Sequence, residues 1–317
     1  MRQHQLLLAR ARALGIGIKE VSDLLGRPSS ILTFRNRSEL FLNGVPASRT
    51  NMKALLFCDN KALTKTAFAD LGIPFPRSRT FTSADDPALN GFLQEGRNYV
   101  CKPIDNTNGL GVVMHIRSME MVKRYFETHR HIGPRFLLEE QLEGQDLRLQ
   151  IIGGQMAAAC IREPAFVLGN GRDTLAELVR ARQAIMHGQN PENKLEIDEP
   201  SRELLASQGL SLESIPGAGQ KVQLKYVCNM AQGGVATDVT DAVHPIYAEW
   251  ARALVDYLET DYMGIDFIVP DFREVPGEGA GILEINARAE WLHHTFSEGR
   301  THDIPGLLLQ DAFELDG

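Results

Sequence analysis

The stretch from Gly264 to Arg288, GIDFIVPDFREVPGEGAGILEINAR, predicts two short buried strands joined by a turn rich in Gly, Pro and Glu. Each strand carries a carboxylate between apolar neighbours, Asp266 in the first strand and Glu284 in the second, and Asn286 follows Glu284 at the next position on the same face. A carboxylate buried without a cation or a hydrogen-bond donor is strongly destabilising. Because side chains alternate along a strand, an in-register hairpin would bring all three polar groups together.

Two carboxylates and one amide oxygen form an oxygen-only ligand set of the kind that holds Mg²⁺. We therefore predict a metal site at Asp266, Glu284 and Asn286, with Mn²⁺ as an alternative ion and with places left for phosphate oxygens. The alternative interpretation is a hairpin whose acidic residues face solvent or pair with Lys or Arg. Other features of a nucleotide site elsewhere in the chain favour the metal site.

The composition is that of a globular protein that could hold two or three subdomains. The chain has 317 residues, of which 43% are hydrophobic, and its formal net charge is -8. This acidic balance argues against nucleic acid or an anionic membrane surface as a partner. Any phosphate group would therefore have to be bound by local Lys, Arg and backbone groups.

The cysteines and the amino-terminal segment predict a cytoplasmic protein. The four cysteines have no metal-ligand spacing and are expected to be reduced thiols: Cys58, Cys101, Cys160 and Cys228. The first residues are too polar for a signal peptide, and no apolar stretch approaches the length of a membrane span.

The first part of the chain predicts a small α/β region without catalytic residues. A helix and a Gly/Pro break precede two strands, ILTF at 31–34 and ELFLNG at 39–44, which are spaced for a hairpin. The pattern from residue 48 to 71 is helical, and Asp59 and Asn60 are suitable caps for a helix that starts at Lys61.

A Gly-containing loop lies in NYVCKPIDNTNGLGVVMHI, residues 98–116, between two predicted strands. Lys102 ends the first strand, and the small residues after it could place backbone N–H groups around phosphate oxygens. A hairpin turn without a ligand is the alternative. The spacing of a P-loop is missing.

An antiparallel sheet is predicted from residue 136 to 162, with Arg148 and Arg162 on its strands. Such residues are either solvated edge residues or a clamp for an anion. A polar helical segment follows at about 167–214. Beyond it, Asn229 and the Gly233/Gly234 break are candidates for substrate contacts, with a simple turn as the alternative.

The order of these motifs resembles the ATP-grasp superfamily. In chain order the motifs are Lys61 before GIPFPRS, Lys102 before the Gly-containing loop, EEQLEGQDLR, IREPA, GGVATDVTDAVHP, GIDFIV and LEIN. Two further segments, GNGRDTLAELV and NMAQGGVATDVTD, look most like the branch that contains the ATP-grasp part of cyanophycin synthetase, bifunctional glutathione synthetase and RimK-like ligases. The resemblance extends from about Asn60 to the end of the chain and lacks the extra ligase domain of full cyanophycin synthetase.

This resemblance implies an α+β protein in which ATP is held between two antiparallel-sheet subdomains. We expect an amino-terminal region at 1–60, a small ATP-grasp subdomain at 61–143, and a large subdomain at 144–317 that contains the helical insertion at about 167–214.

The resemblance also implies roles for individual residues. The residues expected to bind ATP are Lys61, Lys102, Asn108, Gly109, Gly111, Glu139, Glu140 and Asp146. The catalytic residues, which would neutralise the transferred phosphoryl group, are Arg148 and Arg162. The candidate substrate contacts are Asn229, Gly233, Gly234 and Arg288. A Pro that usually follows the metal-binding Asn in the family is absent, which leaves the choice of substrate open.

The implied reaction joins a carboxylate to an amine. The γ-phosphate of ATP would activate the carboxylate as an acyl phosphate, and an amine of an amino acid or short peptide would attack it, releasing ADP and phosphate. No nucleophilic triad is needed, and the pairs His129/His131 and His293/His294 are expected to lie on the surface or in loops. The second pair follows the predicted metal strand and could instead touch substrate. The alternatives are an ATP-dependent phosphotransferase and a non-catalytic nucleotide-binding module. A homodimer is left open.

Overall fold

The computed structural model describes residues 2–105, 110–189, 195–228 and 230–315. Its contacts divide the chain into two compact units, each built from separate segments. Unit 1 comprises 1–47, 157–241 and 290–317, and unit 2 comprises 48–156 and 242–289. The three-part division at residues 60 and 143 stays a prediction.

Helices and strands are interspersed along the chain. The α-helices of the described residues are α1 (Arg2–Ala13), α2 (Ser22–Leu25), α3 (Met52–Cys58), α4 (Lys61–Asp70), α5 (Met119–His129), α6 (Leu175–Gln189), α7 (Glu199–Ser207), α8 (Pro245–Leu258), α9 (Leu292–Thr295) and α10 (Ile304–Phe313). The strands are β1 (Gly17–Glu20), β2 (Ser29–Phe34), β3 (Arg37–Leu42), β4 (Val45–Pro46), β5 (Ser78–Phe81), β6 (Tyr99–Pro103), β7 (Val113–Ile116), β8 (Phe136–Glu140), β9 (Gln145–Ile152), β10 (Gln155–Glu163), β11 (Phe166–Leu168), β12 (Lys221–Gln223), β13 (Val235–Asp238), β14 (Met263–Val269) and β15 (Gly281–Asn286).

Unit 1 contains a four-stranded antiparallel sheet in the order β1-β2-β3-β4. The predicted hairpin is confirmed, since β2 pairs with β3 and Phe34 lies opposite Arg37. Helix α1 contacts α10. Trp291 is fully buried and fixes the start of α9, because its indole N–H donates to the Gly44 carbonyl at 3.0 Å and its backbone N–H to Gln3 Oε1 at 2.9 Å.

The polar segment predicted as a helical insertion also lies in unit 1. It contains α6 and α7, but it begins as strand β11, which pairs with β12. A buried apolar cluster that includes Val167, Leu175 and Leu205 joins these elements. Strand β10 pairs with β13 in the same unit and places Arg162 opposite Ala236.

Unit 2 contains a second four-stranded antiparallel sheet in the order β5-β8-β6-β7. One face packs against α5 through a buried cluster that includes Tyr99, Phe136 and Leu138. Because side chains alternate along a strand, Lys102 of β6 and Glu139 of β8 belong to the opposite face. The sheet thus packs its apolar core on one face and places Lys102 and Glu139 on the other.

Three further strands of unit 2 form the antiparallel set β9, β14 and β15, with β14 in the middle. Helix α8 packs on this set through Tyr247, whose ring centroid lies 5.2 Å from that of Phe267. The predicted strands GIDFIVPD and GILEIN are confirmed as β14 and β15. No helix in the described ranges is both long and apolar enough to span a membrane.

The turn that precedes β9 requires glycine at residue 144. Gly144 has a φ of +151°, and a Cβ added to it would lie 2.4 Å from the Val269 carbonyl oxygen. We expect Gly144→Ala to lower the free energy of unfolding by roughly 2–5 kcal/mol, because backbone strain adds to the clash. Gly91→Ala is the matched control, since its φ is +67° and nothing lies within 4 Å of the added atom. The control should lose about 1–2 kcal/mol in urea unfolding, and equal losses would contradict the close approach at Gly144.

Candidate active site

The carboxylate cluster lies on β14 and β15, where Asp266 stands directly opposite Glu284. Asn286 Nδ2 lies 3.1 Å from Asp266 Oδ2 and 3.4 Å from Glu284 Oε1. The structure therefore brings the three predicted metal ligands together. No group of three His, Cys, Asp or Glu side chains suited to a metal occurs in the described part of the chain, so the carboxamide would have to complete the set. Two carboxylates and a carboxamide suit a hard divalent cation, and their role as ligands stays a prediction.

Arg148 belongs to the same cluster. It lies opposite Asp266 on the other neighbour of β14, and its Nη1 is 2.7 Å from both Asp266 oxygens. Both side chains are buried, with 4% and 3% of their surface exposed, so Arg148 is not a solvated edge residue. Gly264 makes room for the guanidinium, since a Cβ there would lie 2.5 Å from Arg148 Nη2.

A second cluster of charges lies on the polar face of the four-stranded sheet of unit 2. Lys102 Nζ is 2.7 Å from Glu139 Oε1, and Lys65 Nζ of α4 is 2.6 Å from Glu139 Oε2. All three side chains are buried. One carboxylate thus faces two ammonium groups, and the cluster carries an excess positive charge suited to an anion.

The environment of this second cluster shifts the pKa values of Glu139 and Lys65. Burial by itself would raise the pKa of Glu139, but the ammonium groups of Lys102 and Lys65 outweigh it, and the pKa is lowered from its ordinary value of 4.5. Burial lowers the pKa of Lys65, and the Glu139 carboxylate offsets this decrease only in part. The desolvated lysines therefore depend on Glu139 for compensation of their charge.

Lys61 connects the two clusters. It is the first residue of α4, where the Asn60 side chain accepts hydrogen bonds from the Ala62 and Leu63 backbone N–H groups, as the sequence predicts. Burial lowers the pKa of Lys61, and the Glu284 carboxylate raises it, with smaller effects from Lys102 and Glu139. The Lys61 ammonium therefore interacts electrostatically with Glu284 of the carboxylate cluster. It also interacts with Lys102 and Glu139 of the second cluster, which we call the lysine cluster.

The remaining candidates for nucleotide binding have the following places. Glu140 is held by Arg77, whose Nη2 and Nε lie 2.6 and 2.9 Å from Glu140 Oε1. Asp146 is half-buried in β9, opposite Ile268. Gly111 has a φ of +75° and packs so closely that an added Cβ would lie 2.5 Å from Ile132 Cδ1. Asn108 and Gly109 lie outside the described residues.

The substrate candidates of the described ranges are divided between the two units. Arg288 belongs to unit 2 and pairs with Asp59, with Nη2 at 2.9 and 3.1 Å from the two carboxylate oxygens. Gly233 and Gly234 belong to unit 1, as does the predicted catalytic residue Arg162. An added Cβ at Gly233 would lie 2.8 Å from Leu195 Cδ1, so close packing explains why glycine occupies this position. Asn229 lies outside the described residues.

Sequence reasoning missed two residues of the site and misplaced a histidine pair. Lys65 follows Lys61 by one helical turn, a spacing that places both side chains on the same face of α4. Gly264 carries no comparable signal, because its partner Arg148 is distant in the sequence. His293 and His294 are buried in α9, with 6% and 0% exposed, so their expected place at the surface is wrong.

The chain is similar to parts of longer biosynthetic enzymes. It is 32% identical over 270 residues to cyanophycin synthetase of Trichormus variabilis, which covers 81% of this chain and 29% of the relative. It is 30% identical over 300 residues to the glutathione biosynthesis bifunctional protein GshAB of Mannheimia succiniciproducens, covering 88% of this chain and 39% of that protein. The chain thus spans about a third of the length of these curated relatives, and no protein-family profile matches it.

Solved structures show the same fold. The crystal structure of a bifunctional glutathione synthetase from Pasteurella multocida matches with a TM-score of 0.75 and 25% identity, over 98% of this chain and 44% of the other. The D-cycloserine synthetase DcsG matches with a TM-score of 0.51 and 16% identity, over 84% of this chain and 73% of the other, and supports the fold alone.

The relatives and the fold together define an ATP-grasp protein, which confirms the predicted fold class. The chain belongs to the ATP-grasp superfamily, and within it to the branch that contains cyanophycin synthetase and bifunctional glutathione synthetase.

Loss of the Glu139 carboxylate should destabilise the protein more than loss of one of its two lysine partners. We expect Glu139→Gln to lower the free energy of unfolding by roughly 3–5 kcal/mol, because it leaves two buried ammonium groups without a counter-charge. Lys65→Met should change it by less than about 1 kcal/mol, since Lys102 still neutralises Glu139 and a desolvated charge is removed. Glu259→Gln, which breaks an exposed pair with Lys53, is the control and should also cost under about 1 kcal/mol. Urea unfolding at neutral pH separates these outcomes, and a Glu139→Gln loss no larger than the control would contradict the buried triad.

Stability should also depend on pH through Glu139. Because folding lowers the pKa of this carboxyl below 4.5, its contribution is fully present above that pH and is lost as the pH falls through the lowered pKa. We expect unfolding free energy to decline below pH 4.5 in the wild type and to decline less in Glu139→Gln. Identical acid profiles for the two proteins would show that Glu139 does not titrate as the structure indicates.

Proposed function

We propose that this protein is an ATP-dependent carboxylate-amine ligase. It would form an amide or peptide bond through an acyl phosphate and release ADP and phosphate. The substrates would be amino acids or short peptides. The relatives support this class of reaction, since one is named a cyanophycin synthetase and another a glutathione biosynthesis protein.

A single observation carries the proposal. The lysine cluster around Glu139 and the carboxylate cluster around Asp266 lie in the same unit, and α4, which carries Lys61 and Lys65, contacts β15, which carries Glu284 and Asn286. Phosphate groups need cations, and a phosphate-bound Mg²⁺ needs carboxylates. A site that offers both, in a chain whose net charge is -8, is suited to a nucleotide triphosphate with its metal.

The chain's own residues would neutralise and align the reactants. A carboxylate substrate and a triphosphate repel each other, so Lys61 and Lys102 would hold the phosphates while Arg148 compensates charge on the transferred phosphoryl group. Glu139 would keep the Lys102 ammonium in place, at 2.7 Å. Mg²⁺, when held by Asp266, Glu284 and Asn286, supplies charge stabilisation to phosphate oxygens.

Several finer assignments are part of the same proposal. We infer that the protein works in the cytoplasm, in keeping with cysteines at 58, 101, 160 and 228 that form no disulfide within the described residues. Mn²⁺ would substitute for Mg²⁺ because both accept oxygen ligands. A homodimer would be consistent with the reaction and is tested by measuring the mass in solution.

The direct test measures ADP and phosphate release in the presence of paired pools of amino acids and short peptides. A ligase should release both products only when a carboxylate and an amine substrate are present together, and the amide should appear in equal amount. Phosphate transfer to a hydroxyl substrate would indicate a phosphotransferase instead. Tight binding of Mg·ATP without turnover in every pool would indicate a nucleotide-binding module.

A substitution at Glu284 tests the metal assignment with little structural change. Glu284 is half-buried, and Glu284→Gln keeps its shape while removing the charge that a divalent cation needs. We expect turnover to fall by at least about 100-fold, beyond the loss typical of groups that only support a metal ligand. The matched control is Glu278→Gln, an exposed residue of the turn between β14 and β15 that should keep wild-type turnover. Wild-type turnover in Glu284→Gln would remove Glu284 from the proposed metal site.

A further inference from the structure

The contact between Arg148 and Asp266 has an unusual form. An arginine usually meets a carboxylate with two nitrogens, each on its own oxygen. Here Arg148 Nη1 alone lies 2.7 Å from both oxygens. Arg148 Nε is buried and has no hydrogen-bond partner in the described residues. The guanidinium therefore contacts Asp266 as a point charge and leaves one of its own donors unsatisfied.

The side-chain amide of Asn286 also directs an N–H donor at the carboxylate oxygens. Its Nδ2 points at Asp266 Oδ2 and at Glu284 Oε1. A metal ligand would instead present the amide oxygen, so the carboxamide must turn over to bind an ion. N–H groups from Arg148 and Asn286 thus occupy carboxylate oxygens that a metal would use.

We propose that Arg148 is a placeholder cation, which holds Asp266 until a divalent ion arrives with the nucleotide and displaces it. This inference rests on the proposed function. Two cations on one buried carboxylate repel each other strongly, so the guanidinium must leave Asp266 when the ion binds. The freed guanidinium can then turn to phosphoryl oxygens, for which its paired N–H groups are suited.

Displacement of Arg148 from Asp266 would make the affinity for the metal depend on whether the nucleotide is bound. An ion that binds alone must break the Arg148 contacts and leave the guanidinium without a counter-charge in a buried site. An ion that arrives with a triphosphate brings the new partner for Arg148 at the same time. The metal by itself should therefore bind weakly, and nucleotide and metal should each raise the affinity for the other by the same factor.

Gly264 gives the placeholder its position. The guanidinium lies across the backbone at this residue, where an added Cβ would be 2.5 Å from Nη2, 2.6 Å from Cζ and 2.7 Å from Ala289 Cβ. An alanine at 264 would push the guanidinium away without removing its charge. The chain thus offers two independent ways to weaken the placeholder.

The experiment measures Mn²⁺ binding without nucleotide, from the electron paramagnetic resonance signal of the free ion. We expect Arg148→Met and Gly264→Ala to bind Mn²⁺ roughly 10- to 100-fold more tightly than the wild type, which corresponds to losing a hydrogen bond between charged groups. The matched control is Arg252→Met, which breaks an exposed pair with Asp256 and should bind Mn²⁺ like the wild type. ATP itself chelates Mn²⁺, so this contribution is measured without protein and subtracted. The remaining effect of ATP should be a larger gain in Mn²⁺ affinity for the wild type than for Arg148→Met.

Equal Mn²⁺ affinity in the wild type and in both variants would overturn the placeholder role. Circular dichroism establishes folding first, and if Arg148→Met does not fold, Gly264→Ala decides, because it keeps both charged groups in the chain while moving the guanidinium away from Asp266. ADP release by the wild type shows whether the placeholder role of Arg148 or the proposed function has failed. Release together with equal Mn²⁺ affinities refutes only the placeholder, whereas absence of nucleotide binding refutes the proposed function.

Discussion

The cross-strand register of β9, β14 and β15 is the constraint on which the site depends. Positions directly opposite each other in neighbouring strands share a face, so the register sets Arg148, Asp266 and Glu284 in one row. A slip of one residue would turn Asp266 to the other face. Ile265 and Phe267, both with 0% exposed, make such a slip costly because it would expose apolar surface. Apolar packing on one face thereby fixes polar chemistry on the other.

The buried charges of unit 2 are better explained by binding than by stability. A buried ion pair seldom stabilises a protein more than apolar residues of similar volume would. The cluster of Lys65, Glu139 and Lys102 is less favourable than an ordinary buried ion pair, because two cations share one anion and an excess positive charge remains. Glu139 reduces the repulsion between the lysines and fixes both ammonium groups. Such an arrangement is costly by itself, and an anion beside the two ammonium groups would offset that cost.

Local patterns in the sequence could predict the parts of the site but not their pairing. The alternation of β15 is enough to place Glu284 and Asn286 on one face, and Asn60 is a recognisable helix cap. The contact of Arg148 with Asp266 spans 118 positions, and it follows from a register that no local pattern specifies. The burial of Lys65 likewise depends on what α4 packs against. The division into units also escapes a linear interpretation, because each unit is assembled from separated segments.

The start of α4 shows how a local signal becomes a functional position. The Asn60 cap fixes where the helix begins, and the Lys61 backbone N–H donates to the Ile104 carbonyl at 3.1 Å, one residue beyond the end of β6. This bond ties the first turn of α4 to the same connection that carries Lys102 and leads into the Gly-containing loop. The helix start, with its partial positive charge, is thus held beside the lysine cluster. A shift of that connection would also move Lys61, so the groups that are proposed to bind phosphate are linked through the backbone as well as through their charges.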